Sequence, residues 1–308
     1  MKWRPRPVAI GISTELLLAP GDLATRRGGR WGDFLRRLLA HRSGTAGALV
    51  VLVIVLVALA APLVAPFDPN AQDALDVLLS PGANHLLGTD ELGRDVLSRL
   101  IYGAQNSVFV GFLAVALGAL VGVATGLVAG YSGGWVDAVI SRLWDVLLAF
   151  PGLILALVVV TVLGPGTRQV AYAVALVNAP EFFRITRGSV FEQKEREYVA
   201  AAECLGAGSA RIILRHLLPN SVGPLLVQGS LSMGFAIRLS AGLSFIGLGT
   251  QPPAASWGNM LQESFQLLPS GWWLAMFPGV ALAVLLIGLN LLADGLRDVF
   301  DPRSSPAR

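Results

Sequence analysis

The chain is poor in the residues that catalytic, metal-binding and disulfide-bonded proteins use. Its 308 residues include one cysteine and three histidines, and only 14% of them are charged. An average soluble domain has about 25% charged residues. The single Cys204 excludes an intramolecular disulfide and a cysteine-cluster metal site. This composition argues against an ordinary soluble enzyme, and a net charge of only +3 does not indicate a nucleic-acid partner.

No phosphate-binding loop or metal-binding cluster is recognisable either. Neither of the two lysines, Lys2 and Lys194, ends a G-x-x-x-x-G-K-[ST] sequence. The three histidines, at positions 41, 85 and 216, are too far apart in the sequence to predict a metal site. We expect no catalytic residue, no metal and no cofactor on this chain.

Long apolar stretches are what the chain has in abundance, since 54% of its residues are hydrophobic. A charge-poor stretch of about 18 or more apolar residues is a candidate transmembrane helix. Six stretches are predicted to cross a membrane: 45–64, 100–136, 146–167, 169–183, 217–237 and 264–293. The predicted fold class is therefore all-α, a polytopic membrane protein with six transmembrane helices.

The positions of lysine and arginine predict the orientation of these helices. Nineteen of the 23 lie on one side of a six-helix arrangement, three lie on the other, and Arg238 lies inside the fifth span. Because cytoplasmic loops are enriched in Lys and Arg, both termini are predicted to be cytoplasmic, and the protein to lie in the bacterial plasma membrane. The span 169–183 is short and has Glu181 near its end. It is included because without it the basic segment 184–216 would lie on the outer side and the charge asymmetry would be lost.

The resulting domain organisation has five parts. They are a cytoplasmic segment 1–43, a first transmembrane helix 44–66, an extracytoplasmic segment 67–104, a five-helix core 105–303 and a tail 304–308. Within the extracytoplasmic segment, Thr89 is predicted to cap an interfacial helix whose first turn holds Asp90 and Glu91.

Glycine and proline predict how two of the helices pack. Four glycines recur every four residues in the second span: Gly118, Gly122, Gly126 and Gly130. Such a stripe lets another helix approach closely, and that helix belongs either to this chain or to another one. Pro151 is predicted to kink the third span.

Several polar residues lie within the predicted spans. Arg238 either lines a translocation path or pairs with a partner's carboxylate, or else it extends to the interface. The other possible pore-lining residues are Asn178, Gln228, Ser232 and Ser240; helix–helix hydrogen bonds explain the first three equally well. Local ion pairs are predicted between Arg142 and Asp145 and between Glu181 and Arg184, each three residues apart.

The cytoplasmic loop 186–220 is the most informative segment. A helix is predicted to end at Gly206 or Gly208, and Ser209 to cap a second helix before Pro219 restarts the chain into the fifth span. Small residues edged with charge suit docking into a groove on another protein. The residues that we expect to contact that protein are Glu197, Ala200, Ala201, Ala202, Glu203, Gly206, Ser209, Arg211, Arg215 and Pro219.

This loop resembles a known motif. The three alanines 200–202, then Gly206, then His216-Leu217-Leu218-Pro219 look like the "EAA" loop of membrane subunits of ATP-binding-cassette (ABC) importers. Five stretches are similar to the second permease subunit of dipeptide, oligopeptide and nickel importers: 85–104, 130–157, 195–207, 243–261 and 290–303. The resemblance covers about residues 33 to 303.

The resemblance implies a type I importer permease fold and a set of partners. A homologous permease would form the pore with this chain, and one or two cytoplasmic ATPase subunits would bind ATP and Mg and grip the loop, with Ala201, Ala202 and Gly206 in the contact. An extracytoplasmic binding protein would deliver the substrate. Two positions depart from the pattern, because Ala200 and Ser240 stand where the family usually has glutamate.

Three alternatives remain beside a peptide importer. The first is an importer of the same class that carries nickel or another small solute. A stand-alone ion-coupled carrier would need buried carboxylates near the membrane midplane, and the predicted spans contain almost none. A membrane scaffold or receptor would leave the structured cytoplasmic loop unexplained.

Overall fold

The computed structural model describes residues 41–300, and this part of the chain is helical with no β-strand. The all-α prediction is confirmed. The basic segment 1–40 and residues 301–308 lie outside the described residues, and with them most of the predicted N-terminal segment, the predicted tail and their arginines.

Eleven α-helices and one π-helical turn form the described part of the chain. The helices are α1 (Arg42–Leu59), α2 (Ala61–Val64), α3 (Val96–Ser132), α4 (Gly134–Leu148), α5 (Gly152–Leu163), α6 (Thr167–Lys194), α7 (Glu197–Cys204), α8 (Ser209–Ile212), α9 (Leu218–Phe245), α10 (Trp257–Phe265) and α11 (Trp272–Phe300). The π turn Ile213–Leu217 joins α8 to α9 without a break.

Among the described residues, four helical segments are long and apolar enough to cross a membrane: α1, α3, the continuous stretch from α8 to α9, and α11. The pair α4 and α5 meets the same measure as a fifth candidate, although it is bent by 91°. The remaining predicted span lies in α6, which has 28 residues but is more polar. The count of six therefore stays a prediction.

The bend between α4 and α5 confirms the predicted kink at Pro151. The chain leaves helical geometry after Leu148, and Pro151 is the N-cap of α5 with a φ of −55°. Proline has no backbone N–H. The N–H groups at the start of a helix have no partner within the helix, so a proline here removes no helical hydrogen bond. The proline divides the predicted span 146–167, whose first residues end α4 and whose remainder forms α5.

The segment before α3 does not contain the predicted Thr89-capped helix. Asp95 caps α3 instead, and its carboxylate accepts a hydrogen bond from the Ser98 amide at 2.8 Å. Two features keep residues 89–95 out of a helix. Gly93 has a φ of +71°, and the Asp90 carboxylate accepts hydrogen bonds from the backbone of a local turn.

The glycine stripe of α3 lies against α6 of the same chain. A Cβ atom added to Gly122 would lie 2.3 Å from the carbonyl oxygen of Ala179, and one added to Gly126 would lie 2.8 Å from that of Phe183. The same is true at both ends of the stripe, where the Cβ positions of Gly118 and Gly130 fall within 3.0 Å of α6 atoms. The two helices are therefore in backbone contact along most of their shared length.

A second close helix contact, between α1 and α11, has no counterpart in the sequence predictions. A Cβ on Gly47 would lie 2.4 Å from the backbone nitrogen of Leu292, and one on Gly288 would lie 2.7 Å from Cγ1 of Val50. The first and last described helices thus pack directly on each other.

Candidate functional site

The loop that follows α6 is anchored on the helical bundle by apolar side chains. Val199 of α7 and Ile212 of α8 are at most 1% exposed. They form one cluster with Leu217 of the π turn, Val190 of α6 and Leu127 of α3. Because fully buried side chains hold their neighbours in place, α7 cannot shift without moving α6 and α9.

The end of α7 depends on the backbone of Gly206. This residue has a φ of +79°, and its amide donates a hydrogen bond to the carbonyl of Glu203 at 2.9 Å. A Cβ at this position would meet no atom within 4 Å. Glycine is therefore required here by the left-handed backbone conformation and not by lack of space.

The second half of the loop differs from the prediction. Gly208, not Ser209, is the N-cap of α8, and Ser209 is its first residue. Pro219 does not restart the chain, because α8, the π turn and α9 form one continuous helix through it. The wider π turn just before Pro219 removes the close approach between the proline ring and the preceding helical carbonyls.

A small polar network fixes α7 relative to α9. The Tyr198 hydroxyl donates a hydrogen bond to the side chain of Gln193 at 3.0 Å. The Asn220 amide donates to the Tyr198 hydroxyl at 3.4 Å and to the carbonyl of His216 at 2.8 Å. The rings of Tyr198 and His216 lie 6.2 Å apart. None of these four residues was singled out from the sequence as part of this network.

The outer surface of the loop is open to solvent in this chain. Nine of the ten predicted contact residues are exposed and Ala202 is half-buried. Two leucines that the predictions missed lie on the same surface, Leu205 with 88% and Leu214 with 63% of its area exposed. Large apolar side chains exposed in a charged loop are typical of a protein–protein contact, and their presence in this polar segment was the signal available in the sequence.

The α4 helix is tied to the end of α6 by charge. Arg187 donates to both carboxylate oxygens of Asp137, with a distance of 2.6 Å between Nη2 and Oδ2. The Lys194 ammonium donates to the carbonyl of Tyr131 at 2.7 Å. The bent pair α4–α5 is therefore held by Arg187, a residue at the start of the loop 186–220, and Lys194 of the same loop holds the end of α3.

The predicted local ion pairs are wrong. Asp145 pairs with Arg184 of α6, with Nη2 and Oδ1 3.6 Å apart, and not with Arg142 of its own helix. Glu181 therefore does not pair with Arg184, and it makes no ion pair among residues 41–300. The reason is that α4 lies along α6, so the partner on the neighbouring helix is the closer one.

A cavity of about 330 Å³ lies where the α4–α5 corner meets α6 and α9. Its polar lining consists of Asn178 and Glu181 from α6 and Gln228 and Ser232 from α9. The Gln228 amide donates to the Ser232 hydroxyl at 3.0 Å. Asn178 is only 3% exposed, and its side-chain nitrogen has no hydrogen-bond partner in the described structure.

The two other predicted pore-lining residues lie elsewhere on α9. Arg238 is exposed, with its guanidinium carbon 5.5 Å from the centroid of the Phe235 ring, and no carboxylate among the described residues pairs with it. Ser240 is buried. Neither residue lines the cavity, and the role of Arg238 stays a prediction.

A buried ionic cluster joins the segment before α3 and the start of α3 to α10. The Glu263 carboxylate of α10 accepts hydrogen bonds from Arg94 at 3.2 Å and from Arg99 at 3.0 Å. Asp90 accepts a hydrogen bond from Nε of Arg94 at 2.6 Å. The cluster links the segment 65–95 to α10. It was not predicted from the sequence, because its partners are more than 160 residues apart.

Comparisons with known proteins agree on one family. Residues 122–306 match the family described as binding-protein-dependent transport system inner membrane component, and residues 29–81 match the N-terminal transmembrane domain of oligopeptide transport permease C.

The curated relatives are permeases. The chain is 40% identical to the dipeptide transport system permease protein DppC of Alkalihalophilus pseudofirmus, over 89% of this chain and 90% of that one. It is 43% identical to the di/tripeptide transport system permease protein DppC of Pseudomonas aeruginosa, over 86% and 89%. A glutathione transport system permease protein GsiD of Pectobacterium atrosepticum is 40% identical over 89% and 91%.

A solved structure supports the same fold. A chain of the MetNI methionine ABC transporter in inward-facing conformations aligns with a TM-score of 0.54 and 16% identity, covering 66% of this chain and 97% of that one. At this identity the likeness concerns the fold alone. By its family match and its relatives, the chain belongs to the binding-protein-dependent transport system inner membrane components, the permeases of ABC importers.

Proposed function

We propose that this chain forms, with a homologous second permease, the membrane path for peptide uptake in an ABC importer. The identity of the cargo is inferred from the relatives, which are named for dipeptides, di/tripeptides and glutathione and match nearly the whole chain. Nickel or another small solute is the alternative cargo within the same class.

The proposed topology is the one predicted from the sequence. Six transmembrane helices, with α6 as the fourth, leave both termini and the loop 186–220 in the cytoplasm. This arrangement places the anchored loop where an ATPase can reach it and the segment 67–104 on the side of a binding protein. The division at 1–43, 44–66, 67–104, 105–303 and 304–308 remains part of this proposal.

ATP hydrolysis is assigned to partner chains. One or two ATPase subunits bind ATP and Mg, while this chain holds no catalytic residue, cofactor or metal of its own. Support comes from the absence of a phosphate-binding loop in the sequence. Among residues 41–300, moreover, no group of three or more His, Cys, Asp or Glu side chains could hold a metal ion.

The structure supports a mechanical account of coupling. An ATPase that moves α7 pulls on Val199 and Ile212, which are buried against α6 and the π turn. Because the π turn continues directly into α9, the same pull reaches both helices that line the cavity. Closure of the ATPases then changes the distance between α6 and α9.

Uptake by a reconstituted complex tests the proposal. The chain is purified with its partner permease and ATPases, placed in proteoliposomes, and supplied with its binding protein and ATP. Uptake of labelled dialanine that requires ATP is expected. Transport of nickel but not of any peptide in a panel would assign the other cargo, and transport by this chain alone would favour an ion-coupled carrier.

A further inference from the structure

Glu181 is a carboxylate without an ionic partner on the wall of the cavity. Arg184, one helical turn away, is engaged by Asp145 at 3.6 Å. Among residues 41–300, no cationic side chain lies within 4 Å of the Glu181 carboxylate. The negative charge on this wall is therefore not neutralised by the chain's own described residues.

Glu181 lies near the cytoplasmic end of the fourth proposed span, 169–183. Its side chain is exposed in this chain and forms part of the cavity wall. An ionisable side chain in a membrane helix faces a cavity or a partner.

The rest of the lining complements a small polar cation. Gln228 and Ser232 of α9 lie across the cavity from α6 and supply hydrogen-bonding groups. Apolar walls are contributed by Leu155, Val177 and Phe235. A volume of about 330 Å³ is at the lower end of the range for small-molecule sites.

We propose that this cavity is a transit subsite for a short peptide, in which Glu181 binds the peptide's N-terminal ammonium group. The ammonium forms charge-assisted hydrogen bonds with the carboxylate, and Gln228 and Ser232 offer hydrogen bonds to the peptide backbone. The apolar walls accommodate small side chains. This subsite rests on the proposed function, since it takes its ligand from the peptide cargo.

The test measures dialanine uptake by the complete reconstituted importer with three variants of this chain. Glu181→Gln keeps the shape and removes the charge, Glu181→Asp keeps the charge, and Asp294→Asn is a matched loss of charge. Asp294 is 62% exposed and lies 3.8 Å from Arg297 on α11, away from the cavity. Subunit stoichiometry and basal ATP hydrolysis are measured alongside.

We expect Glu181→Gln to lower dialanine uptake at least tenfold, which corresponds to about 1.4 kcal/mol, while ATP hydrolysis and assembly are retained. Glu181→Asp is expected to retain most of the uptake and Asp294→Asn all of it. Wild-type uptake by Glu181→Gln would overturn the subsite and leave the peptide importer intact. Loss of the second permease from the Glu181→Gln complex would instead assign Glu181 to the interface and also overturn the subsite. A wild-type complex that imports no peptide would reject the proposed cargo, whatever the variants do.

Discussion

At the scale of single residues, Gly206 shows that a backbone angle can matter more than a side chain. The resemblance implied a docking role for this glycine, whereas the structure adds a conformational one, because its φ of +79° ends α7. Gly208, two residues later, has an ordinary φ of −68° and equally open surroundings. The two glycines therefore form a natural pair for comparison.

Gly206→Ala is expected to loosen the end of α7, since a non-glycine residue in the left-handed region costs about 1 kcal/mol. Hydrogen exchange of the α7 amides in the purified protein measures the effect. Gly208→Ala serves as the control and is expected to leave this exchange unchanged. Equal exchange in both variants would show that the backbone angle does not limit the stability of α7.

His85 is the histidine of the segment that precedes α3. Its hydrogen bond to Asp95, with 2.9 Å between Nδ1 and Oδ1, raises the pKa of His85 above its ordinary value, and Asp76 acts in the same direction. A raised histidine pKa means that protonation stabilises the folded segment. This stabilisation is fully present below about pH 6.5, the unfolded value, and is lost as the pH rises through the folded pKa.

The segment 76–95 is therefore expected to open more readily at pH 9 than at pH 6. Hydrogen exchange, corrected for the intrinsic effect of pH on the amide rates, measures this opening. The variant His85→Gln cannot titrate, so its corrected exchange should be independent of pH over this range. A dependence that persists in His85→Gln would assign the effect to another group.

At the scale of helices, the contact between α3 and α6 is decided by the absence of side chains. The Cβ of an alanine at position 122 would lie 2.3 Å from the carbonyl oxygen of Ala179 and 2.7 Å from the Cβ of Phe182. Neither atom is at the end of a flexible side chain, so the two helices would have to separate.

Gly122→Ala is accordingly expected to destabilise the protein by about 1–3 kcal/mol, the usual cost of overpacking. Thermal unfolding of the detergent-solubilised complex measures it. Gly229→Ala is the matched control, because Gly229 lies within α9 with no atom within 4 Å of an added Cβ. If the two variants unfold at the same temperature, the close contact does not contribute to stability.

The helices also show which features could be predicted from the sequence and which could not. Apolar length predicted the helices, and Pro151 predicted the bend, because these signals act within one segment. The Asp95 cap, the pairing of Asp145 with Arg184 and the union of α8 with α9 were not predicted. Each depends on how a turn or a neighbouring helix is placed, and local spacing does not contain that information.

At the scale of the whole molecule, part of the candidate site was predicted from the sequence and part became visible only in the structure. The alanines and Gly206 of the loop were identified by their resemblance to a family, which requires no structure. Leu205, just after α7, and Leu214, in the π turn, were missed because an apolar side chain is normally expected to be buried, and only the fold shows them exposed. The cavity joins Asn178 to Gln228, fifty residues later, so its existence required the packing of α6 on α9.

Leu205→Asp is expected to reduce the amount of ATPase that co-purifies with this chain at least tenfold, because it replaces an exposed apolar contact residue of the loop with a charge. Leu75→Asp is the matched control. Leu75 is 91% exposed, but it belongs to the segment 67–104, which is extracytoplasmic in the proposed topology. Undiminished co-purification with Leu205→Asp, at normal membrane levels, would exclude this surface as the docking site.

The polarity of α6 has a consequence for biogenesis. In the proposed topology this helix must enter the bilayer although its own composition does not favour insertion. The face that carries Ala175 and Ala179 is covered by the glycines of α3, a helix synthesised earlier. The translocon is therefore expected to retain α3 until α6 emerges from the ribosome, so that the two helices leave for the lipid as a pair.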